Sequence, residues 1–255
     1  MAANQSQGPK LKVGLTGASG NIATTLREGL GDEVDFTCFL YEECGLEGQI
    51  VDLSDSAQVA GAFEGLDVVI HLAAQIAAST PWEGILQNNI EATYNVFEEC
   101  RRAGVKKVIF ASTNHTQHGE FMDGSPMKTD PAKCRHRARL SDLPAPDSLY
   151  GVSKLFGENL GKYYSLTYGL QFVGLRIGWT EQADDPRAAE GTDQEFHMSV
   201  LFLSKRDCVE AFRKALETDR DYVLGYAVSN NRNGIFDLRE TAEKLGFIPQ
   251  DSADF

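Results

Sequence analysis

Thr16-Gly17-Ala18-Ser19-Gly20-Asn21-Ile22-Ala23 is the segment that most limits what this chain can fold into. It follows Leu11-Lys12-Val13-Gly14-Leu15-Thr16, a short, largely apolar run that reads as a buried strand, and it leads into Ile22 to Leu30, which reads as a helix. Gly17 permits a tight turn and Gly20 lets the backbone approach a pyrophosphate. Ala23 stands where a third glycine would, and is small enough for close helix–strand packing. The helix N-terminus then offers free N–H groups to phosphate oxygens. Glycine turns are common, so the motif by itself is weak. Its place between a first strand and a first helix gives it weight.

The rest of the chain repeats that alternation. Asp35 to Leu40, Gln49-Ile50-Val51, Leu66 to Leu72, Lys106 to Ala111 and Gln171 to Ile177 read as nearly unbroken apolar strands. Between them, Ser56 to Phe63 is expected to be helical. So is the span from Thr80-Pro81-Trp82-Glu83, a capping sequence, to Ala103 before Gly104, and Tyr150 to Tyr168 before Gly169. Toward the C-terminus, Ser204 to Thr218 and Asp237 to Gly246 are expected helices, with Tyr222 to Val228 a strand. The expected fold is therefore α/β: a Rossmann-type doubly wound parallel sheet with a small C-terminal substrate lobe. Residues 11–255 form one domain, with 179–255 contributing most of the lobe, and the polar residues 1–10 a flexible tail.

Composition excludes several classes. A net charge of −13 argues against a nucleic-acid partner, which needs a positive footprint. No apolar run approaches the ~18–20 residues needed to span a bilayer, so no membrane role is expected. The 5 cysteines are scattered and form no Cys-x-x-Cys pair, which suggests neither a zinc site nor a disulfide framework and fits a reducing, cytoplasmic setting. One local exception to the acidic background is Lys133-Cys134-Arg135-His136-Arg137-Ala138-Arg139, a basic stretch that is either a phosphate-binding segment or a solvated loop or subunit contact.

The end of the second strand sets the cofactor expectation. An acidic residue there binds a ribose 2′-OH, whereas arginine favours a 2′-phosphate. Leu40-Tyr41-Glu42-Glu43 carries no Arg or Lys, so NAD is expected, with Glu42 as ribose ligand within one residue of register, or else an ordinary solvated glutamate. Asp52 and Leu53 follow the third strand and could fix the adenine edge, or Asp52 could serve a turn. Further along, Tyr150-Gly151-Val152-Ser153-Lys154 places a phenol and an ammonium four apart on one helix face. A phenol ionises near ~10 in water, too high for proton transfer at neutral pH. A nearby ammonium and a nicotinamide's positive charge would lower it.

Taken in order, Thr16 to Ile22, Asp52-Leu53, His71-Leu72-Ala73-Ala74, Asn89-Ile90, Phe110-Ala111-Ser112-Thr113 and Tyr150 to Lys154 resemble the extended short-chain dehydrogenase/reductase superfamily across almost the whole chain. Ala111-Ser112-Thr113-Asn114-His115 and Leu149 to Lys154 resemble a narrower group within it, the uronate dehydrogenases and the haloarchaeal-type NAD-dependent glucose-6-phosphate dehydrogenases. Arg176-Ile177-Gly178 and the tail from Pro249 to Phe255 look closer to the glucose-6-phosphate branch.

The resemblance implies that Tyr150 is the general base, that Lys154 supports it and the cofactor ribose, and that Thr113 holds the substrate oxygen. It implies a cofactor site of Gly17, Ser19, Gly20, Asn21, Ile22, Glu42, Asp52, Leu53, Leu72, Ala73, Ala74, Asn89, Ser112, Tyr150, Lys154 and Ile177. Gln75, Thr113, Asn114, His115, Trp179 and Arg187 would meet a small-molecule sugar. Two departures stand out: Glu42 where the group usually has aspartate, and Trp179 where uronate dehydrogenases carry a small polar residue. The implied reaction is oxidation of a hexose derivative at the anomeric carbon to a lactone, with glucose 6-phosphate first and a uronate as the alternative. An epimerase or dehydratase of nucleotide sugars uses the same Tyr and Lys but needs a larger C-terminal lobe, and a nucleotide-sensing regulator would need no catalytic tyrosine. Relatives pair through long helices, so a homodimer through Trp82–Ala103 and Tyr150–Tyr168 is also an expectation of the resemblance.

Overall fold

A computed structural model of the chain describes residues 9–77, 79–121 and 137–253. The apolar runs become the strands β1 (Leu11–Thr16), β2 (Val34–Leu40), β3 (Gln49–Ile50), β4 (Val68–His71), β5 (Lys107–Thr113), β6 (Gln171–Ile177) and β7 (Tyr222–Ala227). They pair in the order β3-β2-β1-β4-β5-β6-β7, every pair parallel. Parallel strands need crossover helices, and these cover both faces.

On one face α1 (Asn21–Leu30) contributes Ala23, Leu26 and Leu30 to a core that also holds Val13, Leu15, Ile70 and Leu175. On the other, α4 (Ala92–Ala103) contributes Val96, Phe97 and Cys100, packed on Val69, Val108, Phe110 and Phe172. The long α5 (Leu149–Tyr168) lies against that same face. A β-carbon on Gly157 would sit 2.3 Å from the Phe110 ring, and one on Gly161 would sit 2.2 Å from Phe172. Those two glycines let the helix carrying Tyr150 and Lys154 lie flat on β5 and β6. Gly104 and Gly169 close α4 and α5 in the left-handed conformation, at φ 74° and 69°.

The chain leaves β1 toward β2 and β3, then returns on the other side to β4, so the crossovers diverge at β1 and β4. In such sheets the ligand crevice opens at the carboxyl ends of the diverging strands. Thr16 and His71, the last residues of those strands, are register partners there.

Two expectations are revised. The helix expected from Thr80 to Ala103 is α3 (Trp82–Ile85), a π-helical turn at Leu86–Glu91, and then α4, with Pro81 rather than Thr80 at the N-cap. The helix expected from Ser56 to Phe63 stops at Val59 (α2, Ser56–Val59), because Ala60 is extended at ψ 121° and Gly61 turns left-handed at φ 80°. Residues 179–255, expected to contribute most of a small lobe, also supply elements of the sheet. Within that span, β7 is the seventh strand of the sheet, and α7 (Lys205–Glu217) packs Cys208, Ala211 and Phe212 into the same core as α1. The apolar stripe of α7 and the β-rich run of β7 satisfy themselves best on the sheet. Trp179, α6 (Glu195–Leu201), Val228, Ile235 and Phe236 pack instead into two small separate cores. A last helix, α8 (Arg239–Leu245), packs beside β7. Among the described residues no helix is long and apolar enough to cross a membrane.

Candidate active site

Two adjoining cavities open at the carboxyl ends of the strands. The first, about 490 Å³, is lined by Gly17, Ser19, Gly20, Asn21, Ile22, Ala23, Asp52, Leu53, Leu72, Ala73 and Ala74 among others. The second, about 420 Å³, is lined by Thr113, Asn114, His115, Tyr150, Lys154, Ile177 and Trp179 among others, and shares Ile22, Leu72, Ile76 and Thr180 with the first.

The first cavity is built from backbone. Gly17 has φ +66°, and a β-carbon there would lie 2.8 Å from the Ala73 backbone nitrogen. The turn therefore touches the end of β4 through bare main chain. No side chain caps α1, so its first N–H groups face the cavity without an internal partner. Thr16 locks the arrangement: its Oγ1 accepts from the Leu72 and Ala73 N–H groups at 3.2 and 3.3 Å and bonds His71 Nδ1 at 2.8 Å. Burial drives His71 down to about 3, helped by the charge of Lys154, so the ring stays neutral and serves as a strut. A narrow, donor-rich cradle of this kind fits a dinucleotide, whose pyrophosphate would meet the α1 N-terminus.

The second cavity is built from side chains. Tyr150 is 9 % exposed and Lys154 3 % exposed, both on the first turns of α5. Ser148 caps that helix, its hydroxyl accepting from the Gly151 N–H at 3.1 Å. Burial pushes the Tyr150 phenol up to about 12, with hydrogen bonding to Thr113 working the other way. Burial also takes Lys154 down from 10.5 to about 7. Lys154 Nζ lies 5.7 Å from the Tyr150 ring centre and 4.8 Å from that of Phe110. In the chain alone, burial thus outweighs the expected attraction between ammonium and phenolate. A bound dinucleotide would supply the positive ring and ribose hydroxyls that lower a phenol held there.

Beside Tyr150, two short 3-10 turns at Asn114–Thr116 and His118–Phe121 bring the expected His115 together with His118 and with Asp147, to which no role was expected. His115 Nδ1 and His118 Nδ1 each lie 2.8 Å from Asp147 Oδ2. The His115 ring stands edge-on to Tyr150 at 5.6 Å, and the His118 ring edge-on to His197 at 5.2 Å. Although burial alone would raise it, hydrogen bonds from His115, His118 and Ser148 hold the Asp147 carboxyl well below the usual carboxylate range. Beneath the site, the Ser112 hydroxyl donates to Glu158 at 2.6 Å, and Arg176 clamps Glu158 through two bonds of 2.9 and 2.8 Å, all buried.

Most expected residues gather here, and several change roles. Glu42 is exposed and outside the cavity lining; Tyr41 takes the wall position. β2 ends at Leu40, and the loop that follows turns Tyr41 rather than Glu42 to the cavity. Asp52 lines the cavity, yet its carboxylate also accepts from the Ser54 N–H and hydroxyl at 2.9 and 2.7 Å, holding a turn. Asn89 is buried behind the wall, and Asn88 lines it instead. Asn89 fixes the Gln75 backbone by bonds of 2.8 and 3.0 Å and donates to Ser153 Oγ at 2.9 Å, tying the first cavity to α5. The π-helical turn, which carries one extra residue, gives Asn89 this inward aim. Gln75 lines the cofactor cavity rather than the substrate one. The Ser112 hydroxyl is engaged by Glu158, so it serves α5 packing. Arg187 is exposed on a 3-10 turn (Pro186–Ala189) and lines neither cavity. Residues 133–136 of the basic stretch lie outside the described residues; Arg137 is exposed, and exposed Arg139 pairs with Asp237 at 3.9 Å.

No Lys or Arg, the side chains that favour a 2′-phosphate, lines the first cavity among the described residues. A Rossmann sheet, a bare-backbone phosphate turn and a buried Tyr–Lys pair beside it define an NAD-dependent enzyme. Residues 13–181 match the NAD dependent epimerase/dehydratase family, and the chain belongs to it.

It is 36% identical over 248 residues to the L-arabinose 1-dehydrogenase (NAD(P)(+)) of Haloferax volcanii, covering 95% of this chain and 97% of that protein. It is 34% identical over 255 residues to the NAD-dependent glucose-6-phosphate dehydrogenase of the same organism, covering 94% of each. Its fold is similar to a uronate dehydrogenase from Agrobacterium tumefaciens complexed with NAD, at a TM-score of 0.79 and 28% identity, covering 96% of this chain and 86% of that one.

Proposed function

We propose that this chain is an NAD-dependent sugar dehydrogenase that oxidises an aldopyranose at its anomeric carbon to a lactone, and that its preferred sugar carries no phosphate. The observation that carries the substrate class is the wall facing Tyr150. His115, His118, His197, Gln194 and Trp179 line it, and Lys154 is its only Lys or Arg among the described residues. A phosphate dianion is usually met by arginine forks or by several ammonium groups. An indole, amides and imidazoles instead suit a neutral ring with hydroxyl groups.

In this reading Thr113 and Tyr150 hold the anomeric hydroxyl. Tyr150 takes its proton as the C1–H bond breaks and the C1=O double bond forms. NAD, when bound, accepts the hydride. Lys154, buried beside the phenol, holds the ribose, and Asn114 and His115 orient the ring. Glucose 6-phosphate is the second reading, favoured by the basic stretch at 133–139; galacturonate and glucuronate are the third.

The test is NADH formation by the purified protein over L-arabinose, other neutral aldoses, glucose 6-phosphate and the uronates. The expected result is kcat/KM at least about tenfold higher for a neutral aldose, an energy difference of about 1.4 kcal/mol. A higher value for glucose 6-phosphate overturns the unphosphorylated reading. Turnover without net NADH would identify an epimerase instead.

We also propose a homodimer through α4 and α5. Tyr94, Val152, Tyr163, Leu166 and Tyr168 leave an exposed apolar strip on these two helices.

A further inference from the structure

We infer that Asp147 is a positioning residue that fixes His115 and His118 as hydrogen-bond acceptors toward the substrate, making His118 a specificity residue for hydroxyl-bearing sugars over anionic ones. The inference rests on the sugar-dehydrogenase reading and adds residues to it.

Asp147 is the hub of the substrate wall. Its Oδ2 lies 2.8 Å from Nδ1 of both His115 and His118, and its Oδ1 lies 3.0 Å from His115 Nδ1. An ionised carboxylate can only accept, so both rings must place their proton on Nδ1. In its neutral form each ring so bonded keeps Nε2 as a bare acceptor, and both rings line the substrate cavity. Acceptors at that wall favour sugar hydroxyls, which can donate, and disfavour carboxylate or phosphate oxygens, which cannot. Asp147 also accepts from Ser148 Oγ at 2.8 Å, and Ser148 caps the helix bearing Tyr150. One carboxylate therefore sets the substrate wall and the base in register. The side chain of Asp147 is only 9 % exposed, so water does not substitute easily for either imidazole.

The ligand atoms of His115, His118 and Asp147 lie within 4.8 Å of one another, a spacing a transition metal could also bridge. The hydrogen-bonded reading is preferred because Ser148 and both imidazoles already satisfy the carboxylate. The experiment separates the two.

Asp147→Asn keeps the shape but offers an N–H₂ where one imidazole needs an acceptor. That ring must move its proton to Nε2, turning its acceptor into a donor. Sugar binding to the NADH complex is read by quenching of Trp179 in a Trp82→Phe background, alongside turnover, for wild type, Asp147→Asn, Asp147→Glu and His118→Ala. The expected result is at least a tenfold loss of neutral-sugar affinity in Asp147→Asn and His118→Ala. NAD affinity should stay within about twofold, the ratio of neutral to anionic sugar should fall in Asp147→Asn, and Asp147→Glu should recover part of the loss.

Unchanged sugar affinity and selectivity in Asp147→Asn would overturn the inference. So would a parallel loss of NAD affinity and melting temperature, which marks a merely structural hub. Loss of sugar binding on chelation, restored by zinc, would replace it with a metal site. Because binding is read separately, a wild type that binds sugar without forming NADH would sink the dehydrogenase reading alone.

Discussion

The two halves of the cleft are made from different materials. The cofactor half is backbone: a left-handed glycine against the Ala73 main chain, an uncapped helix end, and Thr16 with His71 pinning two strand ends. The substrate half is mostly side chain, drawn from Ile22 and from residues 72–76, 111–118, 150–154, 177–180 and 194–201. Backbone geometry depends on a few contiguous residues and tolerates little change. A wall assembled from six separate segments can be re-lined one residue at a time. That difference explains how relatives of about 35% identity can share a cofactor and differ in sugar.

The contrast can be broken most forcefully at Tyr150. Tyr150→Phe should lower kcat by about 10²–10⁴-fold, the range expected for losing a general base, while NAD affinity stays within about threefold. Equal losses of turnover and NAD affinity would show that the halves are not separable.

Gly17→Ala should do the reverse. The added β-carbon meets the Ala73 backbone in a left-handed conformation, so titration should show NAD affinity falling by at least tenfold. Melting should report a stability loss of about 1–3 kcal/mol. Arg176→Met leaves Glu158 buried without its ion pair, and chemical denaturation should show a loss of about 3–5 kcal/mol.

The pH dependence of stability should also divide between the halves. His71 is held neutral with a folded value near 3, so the unfolded chain binds the extra proton. Its contribution is present above about 6.5 and is lost as pH falls toward 3; His71→Gln should flatten that acid limb. Lys154 is lowered from 10.5 to about 7, so the unfolded chain again binds more protons between those values and stability rises with pH there. Lys154→Met should therefore be more stable than wild type near neutrality, with the advantage shrinking toward pH 10.5. The smallest effect on chemistry is expected from Leu166→Glu. Sedimentation should show it shifting a dimer toward monomer with kcat/KM within about threefold.

Much of the site was legible where chemistry follows local spacing. The glycine turn, the Tyr150–Lys154 pair and Thr113 sit where strand–turn–helix order put them, and the C-cap glycines at 104 and 169 mark true helix ends. Glu42 was displaced although β2 ends at Leu40 as expected, because the path of the loop after a strand is not set by the strand's pattern. Arg187 was misplaced for a similar reason, since a loop after a strand can turn outward. His118 offered one weak signal, its place three residues after His115, and Asp147 another, three residues before Tyr150. Neither meant anything until two 3-10 turns folded them together.

The sequence by itself determined a parallel α/β sheet, a dinucleotide turn and a tyrosine–lysine pair, because each is a local periodicity or a short fixed spacing. Tertiary structure decided which residues wall the two cavities: Tyr41 rather than Glu42 in the first, His118 and His197 rather than Arg187 in the second, and Asp147 binding two histidines. Those choices depend on contacts between segments tens of residues apart, and no spacing along the chain encodes the distance between them.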